Sequence, residues 1–338
     1  VPERTPLDGV DLLLADLDGV VYRGAGAIPH AVESINRASA PGTGRRVGYI
    51  TNNASRTPDS VAEQLASLGL DVQPADVVTS PQAAVRLLSG LVDPGALVLV
   101  VGGEGLRAEL DAAGFRATDS ARDEPAAVIQ GFAQEVGWAQ LAEAAYALQG
   151  EGSDRPWVAT NTDWTLPTAR GLAPGNGTLV SAVHLAVGRL PVVAGKPEVA
   201  IFEEAISRFG GTKPLFLGDR LDTDILGANR AGIDSVLVLT GVDAAKQVLA
   251  ADRDSRPTYL LEDLRGLHEP YPETQEETLP DGARILTVNE AIVGMRKNVV
   301  SILEAGSSRV DLLRAGAAAV WGSGLAIYGL EVDPGLYA

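Results

Sequence analysis

The chain has 338 residues, 46 % hydrophobic and 21 % charged, the make-up of a globular protein with two domains or one domain carrying an insertion. Its 27 Lys+Arg against 44 Asp+Glu leave a net charge of −17, a surface that repels nucleic-acid backbones and argues against polynucleotide substrates. There is no cysteine, which excludes disulfides, thiolate metal sites and a cysteine nucleophile and is consistent with a cytoplasmic protein.

The stretch Val1–Thr5 has no basic start leading into an apolar run, so no signal peptide is expected. Leu12–Ala15, Val47–Ile50, Leu215–Leu217 and Val236–Leu239 read as buried strands. Helical patterns over Ala31–Ala38, Asp59–Leu68, Val199–Phe209 and Thr223–Ala231 follow them, the second opened by Thr57 as N-cap and Pro58 in the first turn. Apolar strands alternating with helices predict an α/β fold, a parallel sheet covered on both faces. Between these groups a second set appears: strands at Leu97–Val101, Val128–Gln130 and Trp157–Thr160, helices near Leu106–Ala113 and Trp138–Gln149. The apolar run Ala96–Val101 has strand length, far too short for a bilayer, and no membrane partner is expected. The expected division is therefore a core of residues 1–82 and 183–268, an inserted α/β domain over 83–182, a Pro/Glu/Thr-rich linker over 269–282, and an extension over 283–338 with short strands and a helix at Arg309–Val320.

Ligands of open parallel sheets bind beyond the carboxyl ends of the strands. Asp16 and Asp18 stand just past one such end, where Gly19 lets the chain turn and present both carboxylates to one site. The pair suits a hard divalent cation, or a split into nucleophile and general acid/base. Alone, it is equally an Asp-rich turn. Gly218-Asp219-Arg220-Leu221-Asp222-Thr223-Asp224 brings further carboxylates to the same edge, and acidic groups that converge call for a cation such as Mg²⁺. Thr51-Asn52-Asn53 offers a hydroxyl, amides and backbone N–H groups for phosphate oxygens, and Lys196 is the cationic candidate that an acidic protein needs to hold an anion.

Taken in order, Asp16-x-Asp18-Gly19, Thr51-Asn52-Asn53, Gly195-Lys196-Pro197 and Gly218-Asp219-Arg220-x-x-Thr223-Asp224-Ile225 resemble the four signatures of haloacid-dehalogenase-superfamily phosphatases, in the NagD-like, 4-nitrophenylphosphatase-like branch. The resemblance covers about Leu7 to Leu267 and implies a Rossmann-like core with the insertion as its cap. It implies Asp16 as nucleophile forming an aspartyl-phosphate and Asp18 as acid/base. Thr51, Asn52, Asn53 and Lys196 would hold the phosphoryl group. Mg²⁺ would be bound by Asp16, the Asp18 carbonyl and Asp219, with Asp224 behind them.

Gln130-Gly131-Phe132-Ala133 and Gly137-Trp138 look like the actinobacterial glycerol-3-phosphate version of this branch, so that ester is the leading expected substrate. Phosphoglycolate, pyridoxal phosphate and sugar phosphates are the alternatives, with Asn161, Asp163 and Arg170 as candidate cap contacts. The extension is similar in position to one described in that group as an acetyltransferase-like fragment. It lacks a glycine-rich acyl-CoA loop, so packing on the core or on a second copy in a homodimer is expected. Rival readings are an inactive binding module and a phosphotransferase or mutase. Gly102-Gly103-Glu104-Gly105 does not fit a dinucleotide loop, Gly195-Lys196 is followed by Pro197 and is no P-loop, and His30, His184 and His268 lack metal-ligand spacing.

Overall fold

Leu12-Leu13-Leu14-Ala15 is buried at every position, as a strand inside a sheet covered on both faces must be. The computed structural model describes residues 4–150, 154–168 and 170–337; the residues Val1 to Glu3, read above for a leader, lie outside them. The chain forms two units, residues 1–47 with 212–338 and residues 48–211.

In the first unit, strand Leu12–Ala15 pairs in parallel with Pro214–Gly218, which pairs with Asp234–Val238, which pairs with Tyr259–Leu261. All four run the same way, so their carboxyl ends share one edge. The helix expected over Thr223–Ala231 is a single π-helical turn, Leu221–Ile225, running into the short α-helix Leu226–Arg230. Residues 275–338 build a second sheet, in the order Gln275–Thr278, Arg284–Val288, Ala291–Arg296, Val299–Glu304 and Glu331–Val332. Its first four strands are antiparallel and the last pairs in parallel. Helix Arg309–Trp321, capped by Ser308, packs on this sheet. Its buried residues share one apolar cluster with Leu237, Val248, Leu249 and Leu260.

The Asp11 carboxylate joins two starts of strands about 200 residues apart in sequence. It accepts hydrogen bonds from the backbone N–H of Lys213 at 2.8 Å and of Thr212 at 2.9 Å, and from the Thr212 hydroxyl at 2.5 Å. The Thr212 hydroxyl first, then these backbone donors, hold its pKa down at about 2 against an ordinary 3.8. A depressed folded-state pKa gives stability that is complete above the unfolded value and is lost as pH falls toward the folded one. Asp11→Asn is therefore expected to melt below the parent at neutral pH. The difference should shrink as pH drops from about 4 to about 2, read by thermal unfolding across that range. A gap that stays constant into acid would show that the carboxylate charge is irrelevant there.

In the second unit, strand Arg46–Thr51 enters at residue 48 and pairs in parallel with Val77–Thr79. Thr57 caps helix Pro58–Ser67, accepting from Ser60 N–H at 3.3 Å, as its sequence predicts. A five-stranded parallel sheet follows, ordered Val192–Val193, Trp157–Ala159, Ala127–Gln130, Leu97–Val101, Arg116–Thr118. Helices Trp138–Ala147 and Asn176–Val187 pack together, and side chains of both join Val128, Trp157 and Ala159 of the sheet in one core. In chain order the antiparallel hairpin Thr165–Thr168/Gly171–Pro174 falls between the Trp157–Ala159 strand and the second of these helices. Among the described residues no helix is long and apolar enough to cross a membrane.

Candidate active site

Three carboxylates converge at the carboxyl edge of the first unit's sheet. Asp16 follows strand Leu12–Ala15, with its N–H donating to Leu217 O at 2.9 Å, so the sheet's hydrogen-bond ladder sets its place. Asp219 and Asp224 follow strand Pro214–Gly218 and are each 1 % exposed. One oxygen from each of Asp16, Asp219 and Asp224 lies within 4.8 Å of the other two. Anions that close repel strongly unless a cation neutralises them, and oxygen groups gathered at this spacing suit a hard divalent ion. The donor chemistry fits Mg²⁺.

The turn after Gly218 is built around Asp224. Its Oδ2 accepts from the N–H groups of Asp219 at 3.0 Å and Arg220 at 3.1 Å, which explains why the chain winds into a π-turn before the helix starts. Asp224 therefore orients the backbone that carries Asp219. The Arg220 guanidinium turns to Asp222, at 2.8 Å. Asp18 is exposed, and its residue forms a lone β-bridge with Tyr22 while Gly19 N–H bonds Tyr22 O at 2.9 Å.

The loop 240–243 is a part of this site that sequence reading missed. Val242 N–H donates to Asp219 Oδ2 at 2.7 Å, and the Thr240 hydroxyl donates to Gly19 O at 2.7 Å. Burial raises the pKa of Asp243, whose carboxylate accepts from Leu221 N–H at 2.6 Å. The available signal was position: this loop leaves the Asp234–Val238 strand at the same carboxyl edge. Gly19 and Gly241 pinch the Asp219 carboxylate. A Cβ on Gly241 would lie 1.9 Å from its Oδ2, and one on Gly19 (φ +83°) 2.2 Å from it. Gly241→Ala must push Asp219 aside. Groups that hold the oxygen donors of a cation in place are typically worth 10–100-fold in affinity, so displacing one of these three converging carboxylates is expected to lower Mg²⁺ affinity by about that factor. Calorimetric titration of Mg²⁺ checks this, and an unchanged dissociation constant would rule the clamp out.

The remaining predicted residues sit in the second unit. Thr51 ends its strand and is 7 % exposed, its Oγ1 accepting from Asn53 N–H at 3.1 Å. The Asn53 side chain accepts from Ser55 N–H at 2.9 Å and Ser55 Oγ at 2.7 Å and thus builds the turn. Lys196 is 3 % exposed and precedes a cis Pro197. The Asn52 side chain bonds the Lys196 backbone and Asp163. The histidines are elsewhere: His184 contacts Arg189 O at 2.9 Å, His268 contacts Ser34 O at 2.9 Å, and His30 precedes helix Ala31–Ala38 with φ 66°.

A parallel α/β sheet that gathers three carboxylates at its carboxyl edge suits a metal-assisted hydrolase. The comparisons with known proteins agree. A family model for haloacid dehalogenase-like hydrolases matches residues 13–116, and a HAD-hydrolase-like model matches residues 193–267. The D-glycerol 3-phosphate phosphatase of Mycobacterium tuberculosis is 44 % identical over 311 residues, 92 % of this chain and 86 % of the relative. The glycerol-3-phosphate phosphatase of Gallus gallus is 39 % identical over 267 residues, 72 % of this chain and 84 % of the relative. The crystal structure of the M. tuberculosis glycerol phosphate phosphatase in complex with magnesium superposes with a TM-score of 0.85 at 39 % identity, over 98 % of this chain and 94 % of that one. The chain belongs to the haloacid dehalogenase-like hydrolase family.

Proposed function

We propose that the chain is a Mg²⁺-dependent phosphatase that hydrolyses glycerol 3-phosphate to glycerol and phosphate. The observation that carries this is the cluster of Asp16, Asp219 and Asp224 in a chain 44 % identical to a D-glycerol 3-phosphate phosphatase along 92 % of its length. When bound, the ion supplies positive charge for the phosphoryl oxygens.

Asp16 attacks phosphorus through a carboxylate oxygen, forming an Asp16 acylphosphate as the bond from phosphorus to the glycerol oxygen breaks. Asp18 gives its proton to that leaving oxygen. It then takes a proton from a water whose oxygen attacks phosphorus, breaking the Asp16–phosphate bond and restoring both residues. Thr51, the N–H groups near Asn52 and Asn53, and Lys196 bind the phosphoryl oxygens. The metal ligands are Asp16, the Asp18 carbonyl and Asp219, with Asp224 holding the Asp219 turn. Support for these roles comes from the four signatures standing in family order along the chain. In the same proposal residues 1–82 and 183–268 are the core, residues 83–182 the cap that selects the alcohol, and residues 283–338 a structural extension. The protein is cytoplasmic, and homodimer formation, to be read by light scattering, belongs to the proposal too.

The test is kcat/KM with Mg²⁺ for glycerol 3-phosphate, phosphoglycolate, pyridoxal phosphate and a sugar phosphate. Glycerol 3-phosphate is expected to lead by at least tenfold, a difference of about 1.4 kcal/mol in transition-state binding. A lead for pyridoxal phosphate would overturn the substrate, and no phosphate release from any ester would overturn the reaction.

A further inference from the structure

An asparagine side chain carries one acceptor and two donors in a single plane. In Asn52 all three are taken. Its Oδ1 accepts the Lys196 N–H at 2.8 Å, and its Nδ2 donates to the Lys196 carbonyl at 3.0 Å. The second Nδ2 hydrogen goes to the Asp163 carboxylate, 3.0 Å from Oδ1 and 3.2 Å from Oδ2. The amide can sit only this way round, because the flipped orientation would set its oxygen against the carboxylate and against the Lys196 carbonyl.

The frame around this clamp is itself fixed. The Asn52 carbonyl accepts from Asn161 Nδ2 and from Ser80 Oγ, both at 2.7 Å. Asn161 Oδ1 accepts from Asp163 N–H at 3.2 Å, and Asn161 O accepts from Asn176 Nδ2 at 2.7 Å. Asn161 and Asn176 are 3 % and 1 % exposed. Gly195 fits against this assembly only without a side chain, since a Cβ there would stand 2.7 Å from Asn52 Oδ1 and 2.5 Å from Thr160 O.

We infer that Asn52 is a positioning residue: its amide grips both backbone polar groups of Lys196, and Asp163 locks the amide in that grip. This deepens the reading of Lys196 as a phosphoryl-binding group and rests on it. It also moves Asp163 from an expected contact for the substrate to a group that acts through Asn52. Aspartate at position 52 could accept the Lys196 N–H but could donate nothing to the Lys196 carbonyl, and it would face Asp163 with like charge.

The test is a double-mutant cycle of Asn52→Asp and Lys196→Ala on the full chain with Mg²⁺, measuring kcat and KM for 4-nitrophenyl phosphate. Misplacing a catalytic group by about 1 Å costs on the order of 10²-fold, so Asn52→Asp should lower kcat about 100-fold with Lys196 present. In the Lys196→Ala background the same substitution should lower kcat less than about threefold, because effects routed through one group do not add. An equal fold-loss in both backgrounds overturns the inference while leaving the Lys196 reading intact. A Lys196→Ala enzyme with parental kcat and KM overturns that reading and the inference with it. Melting curves accompany every variant. Where Asn52→Asp does not fold, Asp163→Ala, which removes only the lock, goes through the same cycle with the same two criteria.

Discussion

Asp16→Asn is expected to lower kcat by about 10⁴-fold or more, a loss of at least ~5.5 kcal/mol of transition-state stabilisation. The substitution is isosteric and keeps the backbone bond from residue 16 to Leu217 O, so the sheet edge should hold its shape. On the proposed mechanism what disappears is the nucleophile, because a neutral amide oxygen is a poor electron-pair donor to phosphorus, and with it one of the three converging carboxylates. The pattern across substrates makes the result specific. Asp18→Asn removes the proposed proton donor, so its loss should be smaller for 4-nitrophenyl phosphate, whose leaving group needs no proton, than for glycerol 3-phosphate. It should also leave the acylphosphate at Asp16 to accumulate, visible by mass spectrometry after acid quench. Asp16→Asn should be equally dead on both esters and never carry phosphate. Retention of more than a hundredth of the parental kcat by Asp16→Asn would remove Asp16 from the nucleophile's place.

How much of this was legible beforehand follows from where the physics is local. Leu12–Ala15 and Leu97–Val101 announce themselves because strands buried on both faces must be apolar throughout. The helix at Pro58 is written by its own cap. Arg116–Thr118 and Val192–Val193 carry no such signal. They are three and two residues long, partly exposed, and owe their strand state to the neighbour they pair with. Gln275–Thr278 fell within the stretch that composition reads as a linker. It is an edge strand exposed at all four positions, and exposed edges are built from polar, charged residues. In the site, residue types were readable and partners were not. Asn52 was legible as an amide near a phosphate signature, but its hold on residue 196 is a contact across 144 positions of sequence. The Gly241 approach to Asp219 is similar, visible only once two strand ends lie side by side.

Deleting residues 275–338 should cost most or all of the fold's stability rather than remove a separable module. Leu286, Val293, Leu313 and Val320 of the deleted stretch and Leu237, Val248, Leu249 and Leu260 of the retained one belong to one apolar cluster. Val248, Leu249 and Leu260 are each at most 3 % exposed. Fully burying a side chain of this kind is worth about 1.5–3 kcal/mol, so uncovering about half of each of these three removes roughly 2–5 kcal/mol. The whole stability of a protein is on the order of 5–15 kcal/mol. Polar ties would be lost as well. Trp321 Nε1 donates to Val248 O at 3.1 Å, and Arg314 donates to Leu260 O at 2.6 Å while stacking 4.5 Å above the Tyr271 ring. The Arg256 guanidinium would lose the Trp321 ring, whose centre lies 5.3 Å away. The truncated chain is therefore expected to be insoluble or to melt without a cooperative transition, and its phosphatase activity to vanish with the fold. In the full chain, Leu313→Ala should cost about 2–5 kcal/mol, and kcat at a temperature well below melting should be unchanged. A soluble, cooperatively melting 1–274 fragment with near-parental Tm would mean that the shared cluster carries little of the stability. Loss of kcat in a folded Leu313→Ala protein would mean instead that the extension reaches the chemistry.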